Sequence, residues 1–316
     1  MTNTAPLDSR FYAPLGPARL ATLRVLTGAF AVIYFVVRSP VMASFRGFRP
    51  TQFEPVGLAR VLDAPLPAGW VLALYLAAIG FGLLFTLGAF FRVSGPAFAL
   101  LALWVTSYRN SWGMVFHTDN LLVVHLCLIA LSDAARALSI DARGRPEPAP
   151  DPRFGWPVRL IAAVTVMVYV LAGIAKLKAS GFVWMDGDTL RNYIAYDALR
   201  KQQIGSIHSP FGAWLVQYAW PFPIIGTLTM VLELGGPLAL VHPLAARLWV
   251  LGVYGFHIGV LATMAIAFPY PLSGIAFLCF FECEKLWRWR GLKRLARWLD
   301  GGKITDADGG GTLNRS

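Results

Sequence analysis

The chain has 316 residues, 56% of them hydrophobic and 14% charged, with a mean hydropathy of +0.56. A soluble domain of this length does not carry that balance, so the sequence describes a polytopic membrane protein. A net charge of +11 would suit nucleic acid, but the basic residues cluster by membrane topology, which excludes nucleic acid as a partner.

Residues 1–19 form a polar arm expected on the cytosolic side. Eight apolar segments follow that are long enough to span or nearly span a bilayer: about 20–37, 68–90, 93–108, 119–138, 158–177, 213–241, 247–268 and 270–287. The third is short, and Pro221 and Pro223 interrupt the sixth, so counts of seven or nine fit the same pattern. The predicted fold is an all-α transmembrane bundle of about eight helices, with the membrane domain over 20–290. No cleavable signal is expected, because the first apolar run lacks a small-residue cleavage site and leads into further spans. With both termini inside, 18 of the 28 basic residues fall on the inner side. Arginine outnumbers lysine 22 to 6, a composition that points to a bacterial plasma membrane.

The outer loops 38–67, with four arginines, and 178–212 break the charge rule, which hints at an anionic partner or at loops too long to obey. Residues 139–157 are a proline- and charge-rich inner linker. Residues 186–203, DGDTLRNYIAYDALRKQQ, predict an outer-face helix capped by Asp186. Residues 284–299 pair basic side chains with Trp287, Trp289 and Trp298, the pattern of an interfacial helix on an anionic leaflet. Residues 291–316 hold the amphipathic end and a tail expected to be disordered. Cys127, Cys279 and Cys283 all lie in apolar segments and are expected to be buried thiols. No metal is expected.

The polar residues inside apolar runs carry the functional signal. Lys176 interrupts the run YVLAGIAKLKASGFVWMDG (169–187), where an ammonium is costly. In the predicted topology Lys176 ends the fifth span, and His117 and Asp119 start the fourth, at the same outer face. An imidazole, a carboxylate and an amine at one apolar rim are the parts of a proton-abstracting site. The plainer reading has Lys176 snorkelling and His117 and Asp119 capping a helix. On either reading, replacing Lys176 by alanine is expected to leave the fold intact. Glu233, within the sixth segment, needs a partner, and Arg24 and Arg247 are the candidates for a structural ion pair on the inner half. His257 lies near the middle of the seventh segment as a candidate ligand contact or a buried core histidine.

RNSWGMVFHTDNLL, AGIAKLKASGFVWMDG, LELGGPLAL, RLWVLGVYGFHIGV and FPYPL occur in that order. As an ordered set they resemble the HTTM (horizontally transferred transmembrane) domain, the membrane part of vitamin K-dependent γ-glutamyl carboxylase, over roughly residues 10–290. The resemblance implies a reduced lipid quinone as cofactor, with O2 and CO2 as co-reactants. Lys176 matches the lysine that deprotonates the quinol, and His117 matches a histidine that supports the quinol site. Asp119 completes the catalytic set, with Trp184, Asp186 and His257 as substrate-binding candidates. The carboxylase has a large lumenal domain without counterpart here, so quinol chemistry is the firmer expectation and glutamate carboxylation the weaker. The alternative is a non-catalytic membrane factor for maturation or export of a secreted peptide. In that case Lys176 would bind an anion or a lipid headgroup.

Overall fold

A computed structural model describes residues 7–113 and 115–301, with residues 7, 8, 117 and 290 described by their backbone alone. The remainder of the expected disordered tail, 302–316, and the first six residues of the arm lie outside the described residues. The described chain is helical, with one isolated antiparallel bridge between Leu15 and Asp151. Twelve α-helices follow in order: α1 (Leu7–Phe11), α2 (Pro17–Ser44), α3 (Ala68–Leu87), α4 (Phe91–Asn110), α5 (His117–Ala130), α6 (Pro152–Ser180), α7 (Asp188–Gln203), α8 (Pro210–Leu215), α9 (Pro221–Gly235), α10 (Pro243–Met264), α11 (Pro269–Leu272) and α12 (Arg290–Leu299). Prolines open α2, α8, α9 and α10, where the missing N–H has no helical partner to lose.

This is an all-α polytopic membrane fold. Among the described residues, five stretches are long and apolar enough to cross a bilayer: Pro17–Gly47, Ala68–Leu87, Pro152–Asp186, Pro221–Leu240 and Pro243–Met264. They match five of the eight apolar segments. The third segment is α4, whose 20 residues span about 30 Å but include Arg92 and Arg109. The fourth stays helical only to Ala130 and then breaks into turns. The eighth, 270–287, contains no long helix. Pro269 and Pro271 confine α11 to four residues, Gly274 turns at φ 75°, and short 3-10 turns over Ile275–Phe280 and Cys283–Arg288 complete it. The interruption expected at Pro221 is a real boundary, because α8 ends at Leu215 and α9 begins at Pro221.

The chain divides into two compact units. In the first (7–113, 125–158 and 282–301), α3 packs against α2 and α4. Arg24 is fully buried in α2 and donates to the carbonyls of Ala134, at 3.0 Å, and Leu138, with its guanidinium 5.9 Å from the Phe91 ring centroid. Arg19, five residues earlier, forms a two-pronged bond with Glu284 at 2.7 and 2.9 Å. The amphipathic C-terminal helix does form, as α12, but its apolar face meets protein. Ala296 and Leu299 join Ala21, Val25, Ala137, Leu138 and Trp287 in one buried cluster. Arg143 donates to the carbonyl of Trp298 at 2.7 Å, and Asp300 accepts from the Leu138 N–H at 2.5 Å. Arg294, Arg297 and Trp298 stay exposed, so the helix keeps a basic outer side.

In the second unit (115–124 and 159–281), the C-terminal part of α6 runs beside α9 and is followed by a 3-10 turn, Gly181–Asp186, and α7. The helix over 186–203 starts two residues later than expected. Its N-cap is Gly187, at φ 86°, and Asp186 is the exposed last residue of the turn. The reason is steric. A Cβ on residue 187 would run into the backbone of Phe222 and Pro223, so a bare glycine is what lets the turn rest on the start of α9.

Candidate functional site

The site grows from the contact between α6 and α9. Tyr169, Gly173 and Lys176 are spaced four and three apart and share one face of α6. A Cβ on Gly173 would come within 2.8 Å of Leu234 Cδ2 and 3.1 Å of Glu233 Cβ, so the absent side chain lets the helices approach. Gly226 on α9 likewise lies against the carbonyl of Trp184. These close contacts set the register between the two helices, and the register brings Glu233 to Lys176.

Lys176 Nζ forms a salt bridge with Glu233 Oε1, the lysine side chain 20% exposed and the glutamate 5%. Two aromatic faces flank the ammonium: the Trp184 ring at 5.0 Å and the Phe256 ring at 5.9 Å. Trp184 is held in turn by its Nε1–H, which donates to Thr229 Oγ1 at 3.3 Å. Behind this group, Tyr169 Oη and His257 Nε2 are hydrogen-bonded at 2.7 Å, and Tyr169 packs edge-on against Trp249 at 5.2 Å. Two buried polar atoms lack a hydrogen-bond partner here, Glu233 Oε2 and His257 Nδ1. Orphaned buried polar atoms mark places where a further hydrogen-bonding group belongs.

The arrangement corrects the expected partners of Glu233. Its ion pair is with Lys176; Arg24 donates from its two Nη atoms to Ala134 and Leu138, and Arg247 is exposed on α10. Glu233 lies twelve residues after Pro221, about 18 Å along α9. Lys176 is therefore level with the far part of α9, and its amine is tied to protein, which removes the simple snorkelling picture. Lys178, two residues on, is the exposed lysine.

A family model described as the HTTM domain matches residues 12–287. The chain belongs to the HTTM family. No curated protein and no solved structure matches it. The HTTM domain is found in membrane proteins related to vitamin K-dependent carboxylase, and the match covers both units and every candidate site residue.

Within the HTTM domain the candidate residues separate as follows. Lys176, Trp184 and Glu233 meet directly. His257 joins through Tyr169 on the same face of α6 as Lys176. Asp186 is exposed at the end of the turn that carries Trp184. Asp119 is buried in the first turn of α5, and the His117 side chain lies outside the described residues. Phe256, Tyr169 and Gly173 belong to the site and were not singled out from the sequence. The signals for them were present: Tyr169 and Gly173 fall at helical spacing before Lys176, and Phe256 precedes His257. Among the described residues, no three His, Cys, Asp or Glu side chains are grouped to hold a metal ion.

Proposed function

We propose that this HTTM protein acts on a reduced lipid quinone, with Lys176 as the base that removes a hydroxyl proton. The observation that supports it most is the fixing of Lys176 by Glu233 between two aromatic faces, inside an apolar helix. The bound quinol would supply an ionisable hydroxyl and two reducing equivalents. Trp184 and Phe256 offer flat apolar faces to a ring, and the free Glu233 Oε2 and His257 Nδ1 offer hydrogen bonds, so the residues present fit such a group. For Lys176 to accept a proton its own must first leave, and Glu233 is the carboxylate bonded to Nζ that takes it. Tyr169 orients His257. In this reading His117 and Asp119 help place the ring oxygen, and Asp186 stands at the entrance. Oxygenation by O2 and carboxylation of a glutamate by CO2 would follow quinol deprotonation.

The test is lipid mass spectrometry on the purified protein, coupled to oxidation of added reduced quinone. The wild type should retain a quinone and turn it over. Lys176→Ala and Lys176→Arg should both lower the rate by about a hundredfold or more, since arginine stays charged and cannot act as a base. A Lys176→Arg protein with normal turnover would make Lys176 a binding charge and defeat this proposal.

We also propose that both termini face the cytosol of a bacterium, supported by the 18-to-10 split of basic residues that the predicted eight-segment topology gives. Alkaline phosphatase fused after residue 110 or 195 should be active, and after residue 148 inactive. The opposite pattern would turn the molecule over in the membrane.

A further inference from the structure

The first unit contains a cavity of about 580 Å³, within the range of small-molecule sites. It is built where α2 ends and α3 begins, with the loop between them as one wall. Phe45 and Trp112 stack over it, with centroids 5.5 Å apart and planes 12° from parallel. Val36, Leu72 and Leu76 also line it, yet they are among the exposed apolar side chains, at 51%, 46% and 57%. On a membrane span an exposed apolar side chain faces acyl chains, so the cavity opens sideways into the bilayer. At its other end stands Arg46, exposed, just after α2 and at the close of the candidate span Pro17–Gly47. Among the described residues, Arg46 is the one charged residue of the lining and no carboxylate lines the cavity.

A space apolar along the bilayer and cationic at its boundary matches a molecule with a hydrocarbon tail and an anionic head. A second observation agrees. The segment 38–67, the end of α2 and the connection to α3, holds Arg38, Arg46, Arg49 and Arg60 against Glu54 and Asp63, a positive excess where the predicted topology expects none. We infer that this cavity is a binding site for one anionic phospholipid, its acyl chain along Val36, Leu72 and Leu76 and its phosphate at Arg46. The inference does not rest on the role of Lys176, which lies in the other unit.

Native mass spectrometry of the full-length protein in detergent tests it. The probes are phosphatidylglycerol, phosphatidylcholine with the same acyl chains, and glycerol 3-phosphate. One phosphatidylglycerol should be retained in preference to phosphatidylcholine, and glycerol 3-phosphate should not be retained. Arg46→Gln changes an exposed side chain and should leave folding intact while lowering phosphatidylglycerol retention about fivefold, the effect of one basic residue at a membrane surface. Leu76→Trp, which fills the cavity, should lower retention of both lipids. Equal retention of the two lipids, unchanged phosphatidylglycerol binding in Arg46→Gln, or binding of glycerol 3-phosphate alone would each overturn the assignment. Displacement of phosphatidylglycerol by a neutral quinone would do so as well.

Discussion

Replacing Lys176 with methionine is expected to lower stability by about 3 kcal/mol, and adding Glu233→Leu to restore most of that loss. The reasoning begins with the side chain left behind. Glu233 is 5% exposed, its Oε2 has no hydrogen-bond partner, and Lys176 supplies its ion pair. Without Lys176 the carboxylate must stay ionised and uncompensated among apolar side chains, or take up a proton. Either outcome destabilises the native state. Removing both charges ends the problem, because leucine and methionine fill similar space without desolvation. Thermal unfolding of the four proteins in one detergent closes the double-mutant cycle. Two losses that simply add would mean the pair is not coupled. Neither Lys176→Met protein should oxidise quinol. From the sequence, Lys176 stabilises nothing that alanine would not, and the ion pair reverses that expectation.

Gly187→Ala is expected to cost about 3 kcal/mol or more and to weaken quinol retention together with stability. Residue 187 has φ 86°, a backbone region that costs an L-residue roughly 1–2 kcal/mol. The added methyl would also strike the backbone of Phe222 and Pro223, which cannot rotate aside as a side chain can. Relief requires moving the turn Gly181–Asp186 away from α9, and Trp184 would leave Lys176 with it. Gly255→Ala is the control. No atom lies within 4 Å of a Cβ there, and an alanine inside a helix is worth up to about 1 kcal/mol over glycine. A Gly187→Ala protein that melts with the wild type would show that the turn does not depend on its contact with α9.

The long helices were legible because apolar runs and opening prolines are local signals. Lys176 was legible because a charge inside such a run stands out against its neighbours. Its bond to Glu233 was not. A topology drawn from apolar runs assigns the lysine to the outer edge and the glutamate to the inner half. Their actual level is set by how far α6 slides past α9, and that register is fixed by close contacts at Gly173, Gly187 and Gly226. Such contacts belong to tertiary structure and leave no period in the sequence. The segment 270–287 shows the converse error, since composition counts apolar residues and ignores what Pro269, Pro271 and Gly274 do to the backbone. For α12 the amphipathic pattern was readable, but an apolar stripe looks the same whether lipid or protein covers it.

The packing of the C-terminal segment on α2 also sets a clock for biosynthesis. Arg19 waits for Glu284, and Thr22 waits for the Trp287 indole, which donates to its hydroxyl at 2.8 Å; each pair is 265 residues apart. At 5–20 residues per second that interval is on the order of 10–50 s. Arg24 waits a shorter time, for carbonyls 110 and 114 residues later. The first helix delivered to the membrane therefore resides there with its polar side uncovered through most of translation. Ribosomes stalled before residue 282 should hold a nascent chain whose α2 is still open to insertases, chaperones and membrane proteases, and delivery of Glu284 and Trp287 would close that window.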